Sequence, residues 1–180
     1  MPSYNPADWY WQADDGRIFS SARVELVATD DTELAAWKAA GNGPTVWPRD
    51  NAGAQTTASL QAVLSPYGLF ADLKVYAAAV RYNKVSGGIT YQGHPIATDD
   101  ASRGNIIAEA VAAQVIGAGF TTAWKCSDGT WMGPLSNTQM IAFATAVRNY
   151  VAGCFAVEEA LNPSTKADVD NASWPNPALT

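Results

Sequence analysis

Charge is scarce in this chain. Only 16% of its 180 residues are Asp, Glu, Lys or Arg, 11 basic against 17 acidic, for a net charge of −6. Eleven scattered cations do not build the basic track from which nucleic-acid binding draws its affinity, so nucleic acid is not an expected partner. Cysteine is almost absent. Cys126 and Cys154 are too few for a disulfide scaffold and lack metal-ligand spacing, so both are expected as small buried apolar side chains. The single histidine, His94, falls in a predicted hairpin turn before Pro95 and has no evident catalytic or ligating partner. Long apolar runs are missing too. None approaches the roughly 18–20 uninterrupted residues of a membrane span, and the opening Met-Pro-Ser-Tyr-Asn-Pro has no basic and apolar regions of a signal peptide. The expectation is a protein made soluble in a cytoplasm.

Catalytic signatures are equally sparse. There is no Gly-x-Ser-x-Gly elbow, Gly-rich phosphate loop, His-x-x-x-His or Cys-x-x-Cys, so no catalytic residue, cofactor or metal is expected. Four acidic pairs, Asp14-Asp15, Asp30-Asp31, Asp99-Asp100 and Glu158-Glu159, superficially offer the two carboxylates of a glycosidase. Three of them stand at turns or helix starts, where Asp serves as cap and dipole partner. The fourth is placed on the solvent side of the last helix. A non-enzymatic protein is expected.

Tryptophan is plentiful, with seven in 180 residues. Trp9, Trp11, Trp124 and Trp131 flank predicted hairpin turns, Trp47 sits in a Trp-Pro loop, and Trp174 lies in a Pro-rich tail. These six are the candidate partner contacts, because exposed aromatics anchor protein interfaces or stack on sugars. The alternative for each is packing of small sheets onto helices.

The pattern predicts an α+β fold of small antiparallel hairpins packed on helices, with a long C-terminal helix and an extended tail. Residues 1–68 form a first module: a hairpin about Asp14-Asp15-Gly16, a helix from Asp30 or Asp31, and a short helix over 56–64. Residues 69–161 form a second, reading helix, hairpin, helix, hairpin, helix. Its middle helix follows Thr98 or Asp99, with Ile106, Ile107, Ala110, Val111 and Val115 inward. The last helix opens on a Ser136–Gln139 capping box and carries a seven-residue repeat of Met140, Phe143, Val147, Tyr150, Cys154, Val157 and Leu161. That stripe is either a coiled-coil seam of a homo-oligomer, a trimer first, or the face turned toward its own domain. Residues 162–180, with Ser-Trp-Pro-Asn-Pro, are expected as an extended tail docked on a neighbour through Trp174.

The second module resembles a domain of unknown function found in tail-fibre and tail-assembly genes of bacteriophages and prophages. The resemblance spans about residues 70–161. It rests on Arg81-x-x-Lys84-x-x-Gly87-Gly88-Ile89-x-Tyr91-x-Gly93, Ile96-Ala97-Thr98-Asp99, Trp124-Lys125-x-x-Asp128-Gly129-x-Trp131 and the final helix. Residues 8–69 more softly resemble a module preceding it in such genes. The resemblance implies a structural or accessory protein of the virion tail (tip, baseplate or fibre adaptor) whose partners are other phage tail proteins. Alternatives are a tail-fibre assembly chaperone absent from the virion, or a module binding host surface glycans through tryptophan.

Overall fold

The computed structural model describes residues 4–179. The chain divides into two compact units: residues up to Ala77 with Asn162–Asn171, and Ala78–Leu161 with residues from Ala172 onward. The sequence places the boundary at 68/69 and sets the tail apart. Instead the division falls inside a helix, and the tail is shared out between the two units.

In the first unit, β1 (Tyr10–Gln12) and β2 (Ile18–Ser20) pair antiparallel about the Asp-Asp-Gly turn, where Gly16 takes φ +90°. β3 (Glu25–Val27) continues the meander. α1 (Thr32–Ala39) is capped by Asp31, whose carboxylate accepts from the Leu34 amide at 2.9 Å. β4 (Thr45–Val46) lies parallel to β1, giving the order β3-β2-β1-β4. α2 (Thr57–Leu64) starts from a reciprocal cap between Thr56 and Ser59. Alternation along the strands divides the apolar load between the sheet's faces. Trp11 and Phe19 pack with Trp47, Leu60 and Leu64; Tyr10 and Ile18 pack with Leu34.

α3 (Leu73–Ser86) begins four residues later than expected. The Asp72 carboxylate accepts from the amides of Lys74 and Val75 there, fixing the first turn. In the second unit β5 (Ile89–Tyr91) and β6 (His94–Ile96) form a two-residue hairpin, with Gln92 and Gly93 both at positive φ. His94 is therefore a strand residue paired with Tyr91, not a turn residue. α4 (Asp100–Ile116) is capped by Asp99. β7 (Thr121–Lys125) and β8 (Trp131–Ser136) form the second hairpin, and α5 (Asn137–Ala160) follows from the Ser136–Gln139 box. The seven-residue stripe answers as the inward face: Met140, Phe143, Val147, Tyr150 and Cys154 are buried with Ile89, Tyr91, Ile96 and Ile106. Both cysteines are buried and free.

Three expectations fail in detail. On α4 only Ile106 of the predicted inward set is buried. Its partner is Ala113, two turns on, while Ile107, Val111 and Val115 face solvent. α4 is apolar nearly all round, so its hydrophobic spacing does not single out a face. Glu158 is not on the solvent side either: it meets Arg81 at 2.7 Å, and the Arg81 guanidinium lies over the Phe155 ring. The tail, largely irregular, is tied down within the chain. α6 (Lys166–Asp170) is capped by Thr165 and buries Val169 in the first unit, with the Tyr76 hydroxyl bonded to Asp170. Trp174 packs on the second unit's own core. β9 (Ala178–Leu179) then pairs parallel with β5, where Thr90 N–H donates to the Pro177 carbonyl and Gln92 N–H to that of Leu179. The open edge of β5 supplies what the tail's sequence does not.

Candidate functional site

The six candidate tryptophans separate by burial. Trp11 (4% exposed) and Trp47 (2%) are core. Their indole N–H groups donate to the Ser21 hydroxyl at 3.0 Å and the Thr56 carbonyl at 2.8 Å, as buried indoles require. In this fold neither ring reaches a partner, which withdraws both from the contact set. Trp9 is half-buried, donates to the Thr45 hydroxyl at 2.9 Å, and packs edge-on against Tyr4 and Trp37. Trp174 is held against the core as described above. That leaves the β7–β8 hairpin.

Register explains why its two tryptophans differ. Trp124 sits opposite Met132 and Lys125 opposite Trp131, so one pair points inward and the next outward. Trp124 packs on buried Phe143 with ring centroids 5.6 Å apart, and Phe143 in turn meets Tyr91 at 5.1 Å. Trp131 is 63% exposed. A bulge lies between Thr122 and Trp124. Opposite the bulge, Gly133 brings its backbone so near Ala123 and the Thr122 carbonyl that a Cβ would stand 3.1 Å from each.

The hairpin tip is tied to its neighbour by hydrogen bonds. Asp128 accepts from the Thr130 hydroxyl at 2.7 Å and amide at 2.9 Å, and the hydroxyl bond in particular holds its carboxyl below the usual range. Ser127 donates through both amide and hydroxyl to the Pro95 carbonyl of β6. The fold also gathers His94 and Cys126, which the sequence leaves unrelated, with Nδ1 3.9 Å from Sγ. Cys126 is 4% exposed, so this contact packs hairpin against hairpin rather than presenting a nucleophile.

Between the hairpin and α4 lies a cleft of about 410 Å³. Trp124, Lys125 and Trp131 form one wall, and Ser102, Asn105 and Glu109 the other. An aromatic ring beside hydroxyl, amide, carboxylate and ammonium groups suits a partner with both apolar and polar surface. Sequence reasoning names Trp131 but not the α4 wall, which is assembled only by the fold.

At least one member of each acidic pair has a structural partner. Asp31 binds Arg23 at 3.0 Å as well as capping α1, and that Arg23 bond chiefly lowers its pKa. Asp14 pairs with Arg49, Asp15 with Arg17 and Asp100 with Arg103. Asp99 is held low first by the Ser102 hydroxyl. Among the described residues no group of three or more His, Cys, Asp or Glu converges in a way that would hold a metal ion.

No curated protein and no solved structure matches the chain. Residues 70–173 match the domain of unknown function DUF4376. The match runs from just before α3 to just past α6 and takes in more than half of the 180 residues, so the chain belongs to the DUF4376 family.

Proposed function

We propose that this protein is a non-enzymatic structural or accessory component of a bacteriophage tail, at the tail tip, baseplate or fibre, acting through contacts with other tail proteins. The phage setting rests on the sequence resemblance of the second module. The mode of action rests on one observation: Trp131 is exposed on a hydrogen-bonded hairpin and lines a mixed-polarity cleft, the type of aromatic anchor around which protein interfaces concentrate binding energy. Mass spectrometry of purified particles is expected to detect the chain, and Trp131→Ala is expected to reduce its incorporation. Its absence from particles, with retention on fibre subunits in the infected cell, replaces this reading with that of an assembly chaperone.

A second reading uses the same cleft for a host surface glycan. It is favoured by the hydrogen-bonding groups of Ser102, Asn105, Glu109 and Lys125 around a stacking surface. Glycan-array binding abolished by Trp131→Ala supports it; binding that survives the change argues against it.

A further inference from the structure

We propose that the outer face of α4 and α5 is a homodimer interface, formed by antiparallel pairing of α5 with its copy. The first observation is that α5 is too apolar for its exposure. Its 24 residues include only Arg148, Glu158 and Glu159 as charges. Mean hydropathy reaches 1.4 over an 18-residue window, yet only 28% of that window is buried. Beside it α4 leaves Ile107 63%, Val111 53% and Val115 81% exposed, and Phe155 of α5 is 48% exposed. Ile107 and Phe155 stand on either side of the junction of the two helices, and Val111 and Val115 extend the exposed apolar surface along α4. Between the helices runs a groove of about 350 Å³ whose lining includes Ile106, Ile107, Val147, Val151 and Phe155.

The second observation selects a copy of this chain as the occupant. Arg148, Ala152, Phe155 and Glu159 are all exposed and stand at i, i+4, i+7 and i+11, one straight row on the helix. Set antiparallel about a two-fold axis level with Gly153 and Cys154, the row is complementary to itself. Arg148 comes opposite Glu159 of the partner subunit, and Ala152 comes opposite Phe155 of the partner subunit. Each match occurs twice, as an isologous interface requires. Opposite charges meet at the ends, and a large ring meets a small residue at the centre. Among the described residues of its own chain neither Arg148 nor Glu159 has an ion-pair partner, whereas Glu158 is taken by Arg81. A lipid surface is the poorer occupant: the row bears one cation and one anion, and a chain of net charge −6 is repelled by anionic headgroups.

Sedimentation of the full chain tests this. A species of twice 19.0 kDa is expected at concentrations up to about 100 μM, with a dissociation constant in the micromolar range. Arg148→Glu and Glu159→Arg are each expected to weaken it about tenfold or more, since each places like charges opposite one another twice. Both sites are exposed, so circular dichroism is expected to be unchanged. The double exchange is expected to restore the dimer to within about threefold of the original. A monomer at all concentrations overturns the proposal. So does a trimer, a dimer indifferent to the single exchanges, a double variant that fails to recover, or a monomer that co-sediments with phosphatidylglycerol-containing vesicles.

Discussion

Phe143 is the side chain on which the candidate cleft most depends without lining it. It is fully buried, and its ring lies 5.1 Å from Tyr91 of β5 and 5.6 Å from Trp124 of β7, joining both hairpins to α5. Truncation in Phe143→Ala removes a buried ring, at a cost of about 3–5 kcal/mol. Each lost aromatic pairing accounts for about 0.5–1.5 kcal/mol beyond the area term. Domains of this size have about 5–15 kcal/mol of stability in all, so the variant is expected to lose between a fifth and nearly all of it. Urea denaturation followed by far-ultraviolet circular dichroism measures the loss. Phe143→Leu, expected to cost about 1–2 kcal/mol, gives a folded reference should the alanine variant not fold. A double-mutant cycle with Trp124→Ala is expected to return a coupling near 1 kcal/mol, because the two rings touch. Binding through Trp131 is expected to weaken alongside, although Trp131 itself is untouched. A loss below about 1.5 kcal/mol for Phe143→Ala, or zero coupling to Trp124, would refute the view that the cleft wall stands on this ring.

Trp131→Ala is expected to change stability by less than about 0.5 kcal/mol, whereas Trp11→Ala is expected to cost about 3–5 kcal/mol, both by urea denaturation. Gly153→Ala on an unobstructed helix gains about 1 kcal/mol, but here the methyl would stand 2.9 Å from Pro175 Cγ. Faster hydrogen exchange at the Thr90 and Gln92 amides, which bond the tail, is therefore expected; unchanged protection with a gain in stability rules the contact out. Asp31, Asp99, Asp128 and Asp168 are all held below the carboxylate value of 3.8 by hydrogen bonds. Their stabilisation is complete above that pH and is expected to be lost as pH falls below it toward the folded values, measured as a falling urea midpoint. Tyr150 is buried, donates to the Lys84 carbonyl at 3.0 Å, and is pushed up from 10.0 to about 12. Its stabilising share is present below pH 10 and expected to fade between 10 and 12, a loss that Tyr150→Phe is expected to reduce.

Where a feature is local, it could be read from the sequence. Asp31, Asp99 and Ser136 cap helices because one side-chain oxygen placed before an apolar run satisfies free amides, and that needs no tertiary information. The inward stripe of α5 is similarly plain, since five buried residues repeat at the spacing of one face. The fate of each tryptophan was not legible. Trp124 and Trp131 differ because they sit in successive cross-strand pairs that face opposite ways, and only the register of the folded hairpin sets those pairs. α4 offers apolar residues on almost every side, so only the docked α5 decides that Ile106 goes in and Ile107 stays out. The α4 wall of the cleft was unreadable for a related reason: Ser102, Asn105 and Glu109 become neighbours of Trp131 only through the packing of a distant hairpin. β9 is two residues long and has no strand signal of its own.

The sharing of residues 162–179 between the two units has a consequence for biosynthesis. The first unit lacks α6, and the second lacks Trp174 and β9, until residues 162–179 have left the ribosome. Neither can be completed before that segment emerges, unlike domains that fold one after another along the chain. A product released early, anywhere before α6, would leave the β5 edge unpaired and both cores short of their last side chains. Emergence of one short segment thereby closes both cores together rather than in turn.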